Sequence, residues 1–442
     1  MCDRPNILYV YTDQQSASAM GCMGNSELST PVMDRLAAEG ALFTQTYCTQ
    51  PLCTPSRGSM FTGMMPHECG TWCNGESIRE DVQSQGLGRL LSAAGYDCAY
   101  GGKWHVPQIA MPEENGHGFR RISGFNDHEL APACAEFLRR HCSLPPCEQR
   151  PFFLVASFDN PHNICEWGRS MRLPWGSIGE PPPVDECPNL PANFMPAAFE
   201  PEILRIEQAC NWNINPYRTR SEEAWRRLRW AYFRLVEKVD AQIGEILDAL
   251  DSCGLTDSTV VVFSSDHGEG HGAHQWNQKS SLFEEVVRVP MVIRAPDSVP
   301  GTVDQEHLVS NGLDLLPTVC DYAGIPTPEG LRGRSLRPLV SGNGDAPWRE
   351  SLVVETFLDG GRGYGTHGRA LRSARHKYVV FDRGGNREQL FDLMTDPGEM
   401  VNLAVEARHK DTLEAHRQLL REHVETTDDR FNVPDVGASA LY

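Results

Sequence analysis

Short continuous apolar runs recur along this chain, and each stops at a polar cluster. Asn6-Ile7-Leu8-Tyr9-Val10-Tyr11 runs into Thr12-Asp13-Gln14-Gln15, and Tyr96-Asp97-Cys98-Ala99-Tyr100 into Gly101-Gly102-Lys103-Trp104-His105. Pro151 to Phe158 reaches Asp159-Asn160-Pro161-His162, and Thr259 to Ser265 reaches Asp266-His267-Gly268. Such runs predict strands buried on both faces. Ligands bind at the carboxyl ends of strands in open α/β sheets, so the four clusters share one predicted edge.

Helical patterns alternate with these strands. Thr30 caps a predicted helix from Pro31 to Gly40, and another covers Leu87 to Ala94. The clearest runs from Ser221 to Leu250, where Trp225, Leu228, Tyr232, Leu235, Val239, Ile243, Ile246 and Leu250 recur at three- and four-residue spacing behind an acidic, serine-capped start. That stripe predicts core contact. Val286 to Ile293 reads as a strand and Leu313 to Ala323 as a helix; Ser351 to Phe357, Arg369 to Phe381 and Gln389 to Leu393 read as strands before a helix from about Lys410 to Thr426. The pattern predicts an α/β catalytic domain over residues 1–335 and a smaller α+β domain over 336–442, divided at the Gly- and Pro-rich stretch from Pro326 to Pro347. Residues 163–220 carry many prolines and little periodicity, with Trp167, Trp175 and Trp212 among them, and read as a pocket wall.

A length of 442 residues agrees with two domains, and 40% hydrophobic with 22% charged residues is ordinary for a globular protein. The formal charge of -19 argues against nucleic acid or an anionic membrane surface as a partner, and no apolar run is long enough to span a bilayer. The start, Met1-Cys2-Asp3-Arg4-Pro5, has no basic flank or apolar segment, so a cytoplasmic location is expected. The 15 cysteines are expected to be mostly reduced core thiols.

The most informative stretch is Cys53-Thr54-Pro55-Ser56-Arg57, a loop entering a helix. Cys53 then sits at the positive end of that helix, where backbone N–H groups favour an anion, and Arg57 adds a cation one turn on. Asp13 and Gln14 are oxygen donors suited to a hard cation, with a turn or cap role as the plainer reading of Asp13. Lys103 and His105 make a candidate anion clamp in a glycine-led loop. Lys279 follows a histidine-dense loop in which His271, His274, Gln275 and Trp276 are candidates for shaping a substrate subsite, against a plain packing role. Cys48, Cys53, Cys69 and Cys73 lack the paired spacing of a zinc site.

The Cys53 to Arg57 motif resembles that of the formylglycine-dependent (type I) sulfatases, and the resemblance extends over nearly the whole chain. Pro5-Asn6-Ile7 into Thr12-Asp13-Gln14, Gly102-Lys103-Trp104-His105, Pro161-His162, Val239 to Gly244, Ser265-Asp266-His267-Gly268, Lys279, Asp314 to Thr318 and Leu390 to Leu393 match that family's features in its order. It implies the alkaline phosphatase superfamily fold, a large mixed sheet between helices with a smaller C-terminal sheet domain. It also implies oxidation of Cys53 to formylglycine (3-oxoalanine) by a formylglycine-generating enzyme, and a divalent cation, most often calcium, held by Asp13, Gln14, Asp266, His267 and the modified Cys53. Arg57 then holds the formylglycine, and Lys103 and Lys279 bind sulfate oxygens. His105 helps deprotonate the sulfated intermediate and His162 protonates the leaving oxygen. Many members have Asp at the position of Gln14 and Asn at that of His267, which loosens the metal's identity. The expected substrate is a sulfate monoester on a sugar or other small molecule. Alternatives are a phosphonate or phosphodiester hydrolase, an N-sulfoglucosamine-type sulfamidase, and a catalytically silent binding protein. Homo-oligomerisation stays open.

Overall fold

The computed structural model describes residues 4–109, 111–112, 116–211, 219–344, 347–358, 365–435 and 437–438. Among them, eight strands form the main sheet. From one edge they run Arg120–Arg121, Asp97–Gly102, Phe152–Pro161, Asn6–Asp13, Thr259–Ser265, Met291–Arg294, Ala41–Phe43 and Thr302–Asp304. The first five are mutually parallel, and Met291–Arg294 runs antiparallel to both its neighbours. The four strands with polar ends are therefore adjacent and point the same way.

Side-chain alternation feeds two cores from these continuous runs. Leu8, Val10, Leu154, Ala156, Val261 and Phe263 pack on one face, while Ile7, Tyr9, Tyr11, Phe153, Val155, Val260 and Val262 pack on the other. The helix Glu222–Ser252 covers the first face with its predicted stripe, and the Ser221 hydroxyl accepts Ala224 N–H at its start. Each fully buried large aliphatic side chain there contributes about 1.5–3 kcal/mol. Beside it lies Asp127–Ser143, capped by Asn126, a helix that Pro132 in its interior obscures in the sequence. The helix Pro31–Glu39 is capped differently from expectation. Asp240, on the long helix, accepts Met33 N–H at 2.9 Å and Val32 N–H at 3.2 Å, while Thr30 makes no cap bond.

The segment read as one strand from Val286 to Ile293 divides into a helical turn, Glu284–Val287, and the strand Met291–Arg294. The long C-terminal run is a hairpin, Thr366–Ser373 with His376–Phe381. With Ser351–Leu358 and Glu388–Asp392 it forms a four-stranded antiparallel sheet. Lys410–Thr427 covers one face of that sheet, and the other packs on Ile203, Leu204, Leu282, Phe283 and Val286 of the preceding chain. The irregular stretch from 163 to 220 includes the helices Ile164–Gly168 and Glu202–Cys210; Trp212 lies outside the described residues. No helix among the described residues is long and apolar enough to cross a membrane.

Candidate active site

Cys53 is the first residue of the helix Cys53–Thr62, a fully buried element packed under the sheet edge. Thr54 N–H, one of its unsatisfied first-turn donors, is taken by Asn74 Oδ1 at 3.0 Å. Arg57, one turn on, points into the strand ends. Its Nη2 donates to Asp13 and its Nε to Asp266, both at 2.8 Å, and Nη1 donates to the Lys103 carbonyl at 2.6 Å. Nη1 also donates to Ser157 Oγ at 3.1 Å, so Arg57 ties the helix to all four strands.

Those bonds use the Oδ2 atoms of both aspartates, leaving each Oδ1 toward Cys53 and His267. One ligand atom each of Asp13, Cys53, Asp266 and His267 lies within 4.8 Å of all the others. His267 Nδ1 is 2.9 Å from the Gly268 carbonyl, which only accepts, so Nδ1 carries a proton, and Nε2 lies 3.3 Å from Cys53 Sγ. Burial, then the neighbouring Asp13, pushes Asp266 up to about 6. A divalent cation fits between these clustered ligand atoms. Two carboxylates and one imidazole are donors for a hard to borderline ion. Gln14 joins through its backbone N–H on Asp266 at 3.1 Å. Its amide nitrogen donates to Glu269 at 2.5 Å, and its amide oxygen accepts only the weak thiol of Cys165 at 3.8 Å.

The cations converge on the nucleophile position. Lys279 Nζ is 3.0 Å from Cys53 Sγ, and Lys103 Nζ is 2.8 Å from Asp13 and 3.0 Å from Asp159. Burial and Asp13 oppose ionisation of the Cys53 thiol, yet Lys279, Lys103 and His267 hold it well below the usual thiol range. Lys103 follows Gly102, whose φ of +87° and approach to the Ser157 carbonyl, 1.9 Å from where a Cβ would stand, only glycine accommodates. His162 is kept neutral by burial, then by Lys103 and Lys279. His105 is half-buried, in a left-handed conformation with φ 58°; its carbonyl accepts the Thr54 hydroxyl at 2.7 Å and its Nδ1 has no hydrogen-bond partner among the described residues.

The histidine loop turns inward. His271 stacks on Tyr232 and receives Arg229, and burial followed by Arg229 holds it down to about 3. His274 stacks on Phe283 at 4.0 Å, and the buried Trp276 donates its Nε1 to the Lys279 carbonyl at 3.1 Å. Gln275 is engaged by Gln208 and Met195. Trp276 thereby fixes the backbone of Lys279, while His271, His274 and Gln275 are held by Arg229, Phe283 and Gln208. The sequence reading missed Asp159, which gathers Lys103, Asn163 and Trp175 from the last residues of its strand, and Glu269, which fixes Gln14 from the loop after the strand Thr259–Ser265.

A site that places an anion-binding helix start and two lysines against a side chain beside a cation cage is the equipment of a metal-assisted ester hydrolase. The chain belongs to the sulfatase family: the sulfatase family model matches residues 5–325, and that of the N-sulphoglucosamine sulphohydrolase C-terminal region matches 272–426. It is 30% identical to a Delta 4,5-hexuronate-2-O-sulfatase of Bacteroides thetaiotaomicron over 99% of this chain and 92% of that one. The solved structure of a 2-O GAG sulfatase superposes with a TM-score of 0.85 at 28% identity, covering 99% and 95% of the two chains. A phosphonate monoester hydrolase of Agrobacterium radiobacter shares the fold, with a TM-score of 0.75 at 21% identity and 96% coverage of each chain. The protein is a sulfatase, a hydrolase of sulfate esters, with the alkaline-phosphatase-like fold.

Proposed function

We propose that this sulfatase removes a 2-O-sulfate from a uronate-containing saccharide, with Cys53 matured to formylglycine by a formylglycine-generating enzyme and a calcium ion among Asp13, Gln14, Asp266 and His267. The observation that carries the reading is the convergence of Lys279, His267 and the Asp13 carboxylate on the Cys53 side chain. The substrate class rests on the hexuronate 2-O-sulfatase and the 2-O GAG sulfatase that the chain matches over 99% of its length. When present, the cation polarises the sulfate and formylglycine supplies a hydrated-aldehyde nucleophile that a thiol cannot.

The protein's own residues do the rest. Lys103 and Lys279 bind sulfate oxygens, and Arg57 keeps Asp13 and Asp266 oriented. A bound sulfate offsets the two lysines that hold His162 neutral, so His162 gains the basicity to carry a proton and deliver it to the leaving oxygen. His105, with an unpartnered buried Nδ1, takes a proton on the opposite step.

The test joins mass spectrometry to turnover. Protein made with a formylglycine-generating enzyme is expected to give a tryptic peptide Leu36 to Arg57 lighter by thiol-to-aldehyde conversion, and to release sulfate from a 2-O-sulfated unsaturated uronate disaccharide. Faster turnover of an aryl phosphonate ester than of any sulfate would reject the reading.

A further inference from the structure

A cavity of about 460 Å³ lies where the loop after the Cys53 helix meets the C-terminal sheet. Trp72, His367, Asp382, Arg430, Phe431 and Asn432 line it. One wall is rooted beside the nucleophile. The Trp72 carbonyl accepts Gln50 Nε2 at 2.9 Å, and Asn74, two residues on, caps Thr54. The other wall is rooted beside Lys279. His367 packs on Phe357 at 4.7 Å, and the adjoining Thr356 hydroxyl donates to the carbonyl of Ser280 at 2.5 Å. The two walls meet where the Trp72 and His367 rings stand edge to face at 5.9 Å.

The charges in the cavity are not all satisfied. Arg369 and Asp429 neutralise each other through two bonds, at 2.7 and 2.9 Å, and Asp382 accepts His367 N–H at 3.1 Å. Arg430 is exposed and makes no ion pair among the described residues. Aromatic faces suit the C–H surface of a pyranose, and an uncommitted guanidinium suits a carboxylate or sulfate. We infer that this cavity binds a sugar ring of the substrate carrying an anionic substituent, with Trp72 as the stacking surface and Arg430 as the counter-charge. The inference rests on the saccharide sulfatase reading. Calorimetric titration with a desulfated uronate-containing disaccharide tests it in the wild type, Trp72→Ala and Arg430→Gln. A dissociation constant raised about tenfold or more in both variants is expected. Equal affinity in all three proteins, or no binding to the wild type, overturns it. Binding is read without turnover, so loss of the cavity's role and failure of the sulfatase reading give different results.

A separate observation concerns Cys142 and Cys253. Their sulfurs lie 3.2 Å apart across 111 positions of sequence, near the carboxyl ends of the helices Asp127–Ser143 and Glu222–Ser252. Both side chains are half-buried, within reach of a small oxidant. We propose that they form a disulfide when the protein meets a small-molecule disulfide such as oxidised glutathione. One cysteine thiolate attacks the glutathione disulfide and releases a glutathione thiolate; the second then attacks the mixed disulfide and releases the other. Two protein thiols are oxidised, and one glutathione disulfide is reduced to two thiols. Non-reducing peptide mapping after this treatment is expected to join the Cys142 and Cys253 peptides, to lower the intact mass by two hydrogens, and to raise the thermal midpoint. A glutathione adduct retained on either cysteine, or an unchanged mass, overturns the proposal; Cys142→Ser serves as the uncrosslinked control.

Discussion

Lys279 and Cys53 stand 226 positions apart in the chain and 3.0 Å apart in space, ammonium against sulfur. Trp276 fixes the backbone of Lys279 from beneath, so the cation is aimed and not merely present. Lys279→Ala is therefore expected to lower kcat/KM about 10²- to 10³-fold, the effect of removing one preorganised charge from a buried site. Steady-state sulfate release measures it.

Arg57 is the counter-charge to two buried carboxylates, with no exposed surface on any of the three side chains. Arg57→Met leaves Asp13 and Asp266 without that partner, and a loss of about 3–5 kcal/mol in urea unfolding of the metal-free protein is expected. A loss below about 1 kcal/mol would show that the carboxylates find other partners.

Gly102 places Lys103. Its Cβ-free backbone lies against the Ser157 carbonyl with φ at +87°, so Gly102→Ala must displace one strand or the other. Destabilisation of at least about 1–3 kcal/mol is expected, together with loss of activity as Lys103 leaves Asp13. Wild-type kinetics in this variant would contradict the assigned role of Lys103.

Chelation is expected to abolish turnover and to lower the thermal midpoint, since an ion that binds only the folded state stabilises it by mass action. In titrations of the apo protein, His267→Ala is expected to need at least about tenfold more calcium for half-recovery of the midpoint. An unchanged requirement would remove His267 from the cage.

Two buried carboxyls set a pH dependence of stability. Burial, then Asp159, pushes Asp127 up to about 7, and burial alone leads in pushing Asp240 up to about 6. Each binds its proton more tightly folded than unfolded, so each adds stability as pH falls through the window from its folded value toward the ordinary carboxyl range. Asp13 is held low and gives up its contribution only at lower pH. The change in thermal midpoint from about pH 8 to about pH 6 is therefore expected to be less favourable in Asp127→Asn than in the wild type. Scanning calorimetry of both proteins across that range measures it, and the same pH dependence in the two would reverse the assignment.

The four catalytic strand ends were legible because an uninterrupted apolar run has one stable place, inside a parallel sheet, and its end must then meet the polar edge. The long helix was legible for a similar reason, since its stripe repeats over about seven turns from Trp225 to Leu250. Asp127–Ser143 was not, because Pro132 interrupts the local signal while packing against Phe152 and the long helix outweighs it. The cap of Pro31–Glu39 was misread for want of Asp240, which the fold brings in from 207 positions away.

The sequence by itself determined the strand ends, the helix start at Cys53 and the cast of charged residues, since these follow from local periodicity and short motifs. Only the tertiary structure decided what each charge does. It made Arg57 a brace for two aspartates, and it packed His271, His274 and Trp276 inward behind Lys279. A loop's polarity does not encode which way it faces. That direction is set by the partners that burial supplies, Arg229, Phe283 and the Lys279 carbonyl, all of them distant from any local pattern or meaningful only once the chain has closed on itself.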